Sequence, residues 1–141
     1  MTIPALPLAV NGTLMRGLAL NTNLLAVGAT FLRETTTEAT YRLWSIDDCY
    51  PAMQRVSQGG AAIAVEVWQV PTVGLGTVLS QEPPGLCVGK VHLMDGEIVF
   101  GVLGEGILCE NQRDITAWGG WRAYIHSVVQ NDTPSILASE I

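Results

Sequence analysis

A short loop near the N-terminus holds the first residues whose types suggest chemistry. Residues 11–17 read Asn-Gly-Thr-Leu-Met-Arg-Gly. Glycines let a ligand come close to the backbone, so the N–H groups of such a loop can bind a carboxylate or an oxyanion. The residues predicted to contact a ligand here are Asn11, Gly12, Thr13, Leu14 and Arg16. The alternative interpretation is an ordinary turn between a strand and a helix.

Glu82 is the predicted catalytic residue. It lies between a predicted helix and the pair Pro83-Pro84, which restricts the movement of its backbone. In apolar surroundings the pKa of such a carboxyl rises, which suits general acid/base catalysis near neutral pH. Alternatively, Glu82 is a solvated loop residue, as most glutamates are. Glu66, inside a long apolar segment, is the other candidate acid, and a charged group on a buried face needs a partner.

Two tryptophans, a tyrosine and an arginine crowd into residues 114–124, a run too irregular for a simple amphipathic helix or strand. The glycine pair in its middle lets the backbone turn sharply. Arg122 and Tyr124 are predicted to bind substrate, because a planar guanidinium beside aromatic rings can hold a carboxylate. The alternative is a structural ion pair between Arg122 and either Asp114 or Glu66.

A second tyrosine–arginine pair, Tyr41-Arg42, lies within a predicted strand. Arg42 either points into a cavity, where both residues would bind substrate, or lies on the outer face of the sheet. The two histidines, His92 and His126, are interpreted as a strand residue and a surface residue. No spacing of Cys and His residues suggests a metal site, and no organic cofactor is predicted.

The elements that must position these residues alternate between short strands and short helices. Strands are predicted at residues 6–10, 30–35, 40–46, 61–70, 88–94 and 97–103, and helices at residues 20–27, 71–79 and 105–111. Asn21 is a possible helix N-cap, a hairpin is expected to join the second and third strands, and residues 47–51 are expected to form a loop. Asp95-Gly96 predicts a second hairpin. Because strands outnumber crossover helices, we expect an α+β domain with a curved or barrel-like mixed sheet and two or three short flanking helices.

The composition narrows the class of protein. The 141 residues are 48% hydrophobic and 14% charged, which predicts one domain over residues 1–130 with a loose tail at residues 131–141. A net charge of -6 with a single lysine argues against a nucleic-acid partner. The apolar N-terminal segment is too short for a membrane span and lacks the basic flank of a signal peptide, so the cytoplasm is the expected location. Much uncharged surface makes a homo-oligomer plausible.

The sequence resembles the C-terminal domain of allophanate hydrolase and, more distantly, other proteins with the γ-glutamylcyclotransferase-like fold. The resemblance is strongest over Asp114-Ile-Thr-Ala-Trp-Gly-Gly-Trp-Arg-Ala-Tyr124. The further similar segments are Leu20-Asn21, Tyr41-Arg42-Leu43, Gly59-Gly60-Ala61-Ala62-Ile63, Val65-Glu66-Val67-Trp68 and Val88-Gly89.

This resemblance implies a small barrel-like sheet and the loss of carbon dioxide from a small N-carboxy compound. Leu14 stands where the allophanate hydrolase pattern Gly-x-His-Leu-x-Gly has its histidine. The loop is similar instead to the Tyr-Gly-(Ser/Thr)-Leu motif of the cyclotransferases, with Asn11 in place of the tyrosine. Those enzymes also use a glutamate just after the helix that follows a long strand, and Glu82 has that position.

Two functions are therefore expected. The first is a stand-alone relative of the allophanate hydrolase domain, in which Glu82 acts on a small anionic nitrogen metabolite by decarboxylation- or cyclotransferase-type chemistry. The second is a non-catalytic module that binds a metabolite, or that assembles with itself or with a separate amidase chain.

Overall fold

The computed structural model describes the backbone of residues 3–140 and the side chains of residues 3–130. The strands are β1 (Ala5–Val10), β2 (Thr30–Thr36), β3 (Tyr41–Ile46), β4 (Tyr50–Arg55), β5 (Ala64–Pro71), β6 (Leu86–His92), β7 (Ile98–Gly104) and β8 (Arg113–Asp114). The helices are α1 (Asn21–Ala26), α2 (Thr72–Ser80), α3 (Gly106–Cys109) and α4 (Trp121–Glu140), with a 3-10 turn at Thr116–Trp118.

The described strands form two sheets. The larger sheet has the order β2-β5-β1-β7-β6, and the smaller one has the order β4-β3-β8. β1 pairs antiparallel with β5 and parallel with β7, so the larger sheet is mixed. The expected α+β class with a mixed sheet and short helices is confirmed. The sheet does not close into a barrel among the described residues, although an isolated bridge between Thr37 and Leu93 joins the end of β2 to the hairpin of β6 and β7.

β5 occupies an interior position of the larger sheet and is buried on both faces. Val65 and Val67 on one face, and Glu66 and Trp68 on the other, are all at most 3% exposed. A strand covered on both sides must satisfy any charge it carries from within the protein. Glu66 is the charged side chain of this strand, so it needs hydrogen-bond donors or positive charges from other parts of the protein.

Most of the predicted elements are confirmed, and the hairpin at Asp95-Gly96 is one of them. Gly96 has a φ of 92°, a conformation that glycine adopts without steric cost. The prediction of Asn21 as an N-cap is wrong. Leu20 has the cap position, and the Asn21 side chain instead donates a hydrogen bond to the carbonyl of Leu14 at 2.8 Å.

The predicted hairpin of β2 and β3 is also wrong, because β2 pairs with β5 and β3 pairs with β4 and β8. Thr37 turns the chain from one sheet to the other: its N–H donates to Ile63 O, and its hydroxyl accepts from Ile63 N.

The predicted loop at residues 47–51 is shorter than expected, since β4 begins at Tyr50. Asp47 and Asp48 both have positive φ and make the tight turn of the hairpin of β3 and β4. Pro51 is compatible with β4 because β4 is an edge strand of its sheet.

The last helix, α4, includes the segment for which a loose tail was predicted. The side chains of residues 131–141 lie outside the described residues, so the tail stays a prediction. No helix in the described part of the chain is long and apolar enough to cross a membrane.

Candidate functional site

A small cavity forms where β1 ends and the chain enters the loop of residues 11–17. Its lining residues are Val10, Asn11, Gly12, Thr13, Leu14, Tyr50, Pro51, Glu82, Leu86 and Val102. The fold thus brings the predicted anion-binding loop and the predicted acid together, although they are far apart in the sequence. The cavity has a volume of about 20 Å³, which is room for roughly one water-sized group.

Buried polar side chains and one close contact hold the loop in place. Asn11, 4% exposed, donates from Nδ2 to Val102 O at 2.9 Å. Asn21 donates a hydrogen bond from Nδ2 to Leu14 O at 2.8 Å. The backbone of Gly12 lies so close to Pro51 that a Cβ at this position would meet Pro51 Cδ at 2.4 Å. Only glycine fits here without a shift of the backbone.

The hydrogen bonds of the loop leave donors at the cavity wall. The carbonyls of Gly12 and Thr13 accept from Met15 N and Leu20 N, at 2.9 Å in both cases. The N–H groups of Gly12, Thr13 and Leu14 have no acceptor within the described residues. A loop with satisfied carbonyls and unsatisfied N–H groups has the polarity that an anionic oxygen needs.

Glu82 has the environment that the sequence suggested. It follows α2, where its N–H donates to Leu79 O, and its side chain is half-buried. No described residue donates a hydrogen bond to its carboxyl group, and burial raises its pKa above the ordinary value. Tyr50 faces the same cavity, and its pKa is raised by burial and by nearby negative charges that include Glu82. The small cavity therefore shifts the pKa values of both side chains upward.

Two of the predicted anion-binding residues, Arg122 and Arg16, are near a second and larger cavity. Arg122 lines it, whereas Arg16 is bound to two of its lining residues, Glu34 and Glu66. Both arginines contact Glu66: Arg16 Nε lies 3.2 Å and Arg122 NH2 3.0 Å from Glu66 Oε2. Glu66 Oε1 also accepts from Arg16 N at 2.8 Å and from Trp68 Nε1 at 3.1 Å. Burial acts to raise the pKa of Glu66, but these hydrogen bonds outweigh it and hold the pKa below the ordinary value. Of the two partners foreseen for Arg122, Glu66 is the one that it contacts.

Tyr41, Arg42 and Tyr124 line neither cavity. Tyr41 is fully buried, and its hydroxyl accepts a hydrogen bond from His92 N at 2.9 Å. Tyr124 is buried and donates to Asp48 Oδ1 at 2.7 Å. Arg42 lies on the surface, where it pairs with Asp114 at 2.8 Å and donates to the carbonyl of Gly59. The structure thus separates the predicted site residues into a small cavity, a larger cavity and structural positions.

Some wall residues of the small cavity were not expected from the sequence. Tyr50 and Pro51 belong to β4, which was predicted to be part of a loop, and Leu86 and Val102 come from the second hairpin. The double Asp at residues 47–48 was the available signal for β4, because aspartate tolerates the positive φ of a tight hairpin turn. Among the described residues, no three His, Cys, Asp or Glu side chains cluster so that they could hold a metal ion.

Comparison with protein families settles the relationship that the motifs suggested. The model of the allophanate hydrolase C-terminal domain matches residues 6–126. The chain belongs to this family. Leu14, at the position where the resemblance implies a histidine, is buried in the wall of the small cavity.

Other members of the allophanate hydrolase C-terminal domain family are parts of much longer proteins. The urea amidolyase of Saccharomyces cerevisiae is 32% identical over 136 residues, which are 92% of this chain and 7% of the yeast protein. The allophanate hydrolase of Kluyveromyces lactis is 31% identical with a TM-score of 0.84, covering 89% of this chain and 22% of that protein. The chain therefore spans only a small fraction of these relatives.

Two further structures extend the comparison. A protein specific to uropathogenic E. coli is 51% identical with a TM-score of 0.86, covering 87% of this chain and 97% of that one. An AIG2-like protein from Mus musculus is 18% identical with a TM-score of 0.56, covering 74% of this chain and 78% of that one. The second likeness shows the shared fold only.

Proposed function

We propose that the small cavity is an active site with cyclotransferase-type chemistry, acting on a small metabolite that carries a carboxylate, an amine and an amide. The observation that supports this most is the meeting of unpaired loop N–H groups with a carboxyl group of raised pKa in one cavity. The two features complement each other chemically: the first binds negative oxygen, and the second exchanges a proton near neutral pH.

In the proposed reaction the N–H groups of Gly12, Thr13 and Leu14 bind an anionic oxygen of the substrate. The substrate amine attacks the carbonyl carbon of its own amide, and Glu82 accepts the proton that the amine loses. As the amide C–N bond breaks, Glu82 returns that proton to the leaving amine. The products are a cyclic lactam and a free amine, and Glu82 ends in its starting protonation state.

The size of the cavity adds a requirement to this proposal. A space of about 20 Å³ does not hold a whole metabolite. The proposal therefore requires that Glu82 and Leu86 move outward when substrate binds. Glu82 is bound to the preceding helix only through its backbone, so its side chain can change rotamer without loss of a hydrogen bond within the described residues.

The test is turnover of γ-glutamyl amides and ureido carboxylates by the purified protein, followed by NMR. Release of the amine together with a lactam supports the cyclotransferase reaction, whereas release of carbon dioxide from a carboxylate labelled with ¹³C indicates decarboxylation. Glu82→Gln should abolish either reaction, and the exposed Glu110→Gln should leave it unchanged. Full turnover by Glu82→Gln would contradict the proposed role of Glu82.

A non-catalytic role is the second candidate, and the arrangement of charges supports it. Two of the three arginines expected to bind substrate contact Glu66 instead, and the third, Arg42, pairs with Asp114. By the resemblance, Leu14 has the position of the family's histidine. The relatives named urea amidolyase and allophanate hydrolase suggest a partner that handles urea-derived nitrogen compounds. Co-purification of an amidase chain at equal stoichiometry, with no turnover in the assay above, would favour this role over catalysis.

A further inference from the structure

The larger cavity has no part in the proposed reaction, although its size suits a small-molecule ligand. Its volume is about 540 Å³, within the range of roughly 300–1,000 Å³ typical of ligand sites. It lies between residues 34–36 of β2, residues 64–66 of β5 and residues 118–123 at the start of α4. The two cavities have no lining residue in common.

A guanidinium group with unused donors lies in the wall of this cavity. Arg122 donates from NH2 to Glu66 Oε2 and to Arg16 O, and its side chain is 46% exposed. Its Nε and NH1 atoms have no acceptor within the described part of the chain. Arg122 can therefore bind an anion from the cavity side without releasing Glu66.

The charges around Arg122 are balanced without a ligand, but one of the balancing carboxylates is exposed. The positive charges of Arg16 and Arg122 face the single buried carboxylate of Glu66, which leaves one positive charge in excess. Glu34 balances this charge by pairing with Arg16 from the cavity wall, but Glu34 is 67% exposed. Exposed ion pairs contribute little free energy, so a ligand carboxylate bound at Arg122 can take over the balancing of this charge from Glu34 at small cost.

The remaining walls are apolar and rich in flat rings. Trp118, Trp121, Met15 and Val65 are among the lining residues, and Trp118 is the more exposed of the two tryptophans. Aromatic side chains stack well on planar ligands, and methionine adapts to their shape. We propose that the larger cavity binds a small aromatic carboxylate, with the carboxylate at Arg122 and the ring against the two tryptophans.

The first test uses phenylacetate as the probe, followed by tryptophan fluorescence and by saturation-transfer NMR. Its neutral analogue phenylacetamide keeps the ring but loses the charge, and acetate keeps the charge but loses the ring. Phenylacetate should bind at least about tenfold more tightly than either, a difference of about 1.4 kcal/mol. Equal affinity for the acid and its amide, or no binding of phenylacetate, would overturn the proposal.

The second test uses variants on both sides of the carboxylate. Arg122→Gln should weaken phenylacetate binding at least about tenfold. Glu34→Gln should strengthen it by about two- to fivefold, because the competing carboxylate is gone. The matched control is Glu97→Gln, which removes an exposed carboxylate paired with Arg33 elsewhere and should change nothing.

The Glu34 variant keeps the proposal falsifiable if Arg122→Gln does not fold. Glu34 is exposed, so its loss should leave the fold intact, and an unchanged affinity in Glu34→Gln would then contradict the assignment. Glu82→Gln, which leaves the larger cavity untouched, should bind phenylacetate as the wild type does. Phenylacetate binding at the larger cavity can therefore succeed or fail independently of turnover at the small cavity.

Discussion

Glu66 lines the larger cavity and Glu82 lines the small one, and these two carboxyl groups behave in opposite ways. Glu66 is 2% exposed, yet hydrogen bonds from Arg16, Trp68 and Arg122 keep its pKa below the ordinary value. Glu82 is less deeply buried, but burial raises its pKa because no described residue donates to its carboxyl group. The supply of donors, rather than depth of burial, decides the direction in which each pKa is shifted.

The same loop connects the two environments. Its first half, residues 11–14, lines the small cavity and leaves N–H groups without acceptors. Its second half is bound to Glu66 through the N–H and the guanidinium of Arg16. The buried carboxylate of Glu66 fixes the second half of the loop. The first half can therefore keep N–H groups without acceptors, and such N–H groups are typical of binding sites rather than of structural turns.

The largest expected effect comes from breaking the network around Glu66. Glu66→Ala leaves the N–H of Arg16 and Trp68 Nε1 without acceptors in the interior, and it removes the partner of two guanidinium groups. We expect a loss of about 3 kcal/mol in the free energy of unfolding, since the two arginines are partly exposed and can be solvated. Urea denaturation measures this loss.

Glu34→Ala is the matched control for this experiment. It also removes a carboxylate from Arg16, but from an exposed pair, and should cost less than about 1 kcal/mol. Equal losses in the two variants would show that Glu66 does not hold the loop.

A smaller effect is expected from crowding the small cavity. Gly12→Ala places a Cβ 2.4 Å from Pro51 Cδ, so the loop or β4 must move. We expect a loss of about 2 kcal/mol in the free energy of unfolding, together with loss of any turnover, because the donor positions shift. Thermal and urea unfolding with the turnover assay check both parts.

Gly17→Ala serves as the comparison within the same loop. No atom lies within 4 Å of a Cβ at Gly17, but the φ of 76° is strained for alanine. The expected cost is therefore only about 1 kcal/mol, with turnover retained. If Gly17→Ala abolished turnover and Gly12→Ala did not, the assignment of the small cavity would be wrong.

The comparison of the cavities also shows what the sequence can predict. The loop and Glu82 were each predictable from local patterns: a glycine-containing turn after an apolar strand, and a carboxylate fixed between a helix and two prolines. The hairpin at Asp95-Gly96 was predictable for the same reason. In each case neighbouring residues determine the backbone. That the loop and Glu82 meet was implied only by the resemblance to the cyclotransferases.

The parts that were missed depend on contacts between distant segments. β2 and β3 have residue types suited to a hairpin, yet Ile63 takes the hydrogen bonds of Thr37 and directs the chain into a second sheet. Whether Arg122 contacts Asp114 or Glu66 likewise depends on where the start of α4 packs. No local sequence pattern specifies that position. Glu66 could be identified as a residue in need of a partner, but the sequence did not name Arg16 as one.

The smallest expected effect is a change in the free energy of unfolding with pH, which should differ between Glu82 and Glu66. The folded state raises the pKa of Glu82 above its unfolded value, so its contribution to stability is present at low pH and is lost as pH rises through the folded pKa. Glutamine is neutral at every pH and does not suffer this loss. Glu82→Gln should therefore gain stability relative to the wild type as pH rises from about 4 to 8, by less than about 1 kcal/mol.

Glu66 should contribute with the opposite sign, because the folded state lowers its pKa. Its stabilisation is present above the unfolded pKa and is lost as pH falls through the folded pKa, so the deficit of Glu66→Gln should shrink in acid. Urea unfolding of both variants from about pH 3 to 8 is the measurement, because the Glu66 effect appears below its ordinary pKa. Glu110→Gln, an exposed position, corrects for removing one negative charge from a chain of net charge -6. If both variants changed in the same direction relative to this control, the two carboxyls would not differ in the way that their hydrogen bonds indicate.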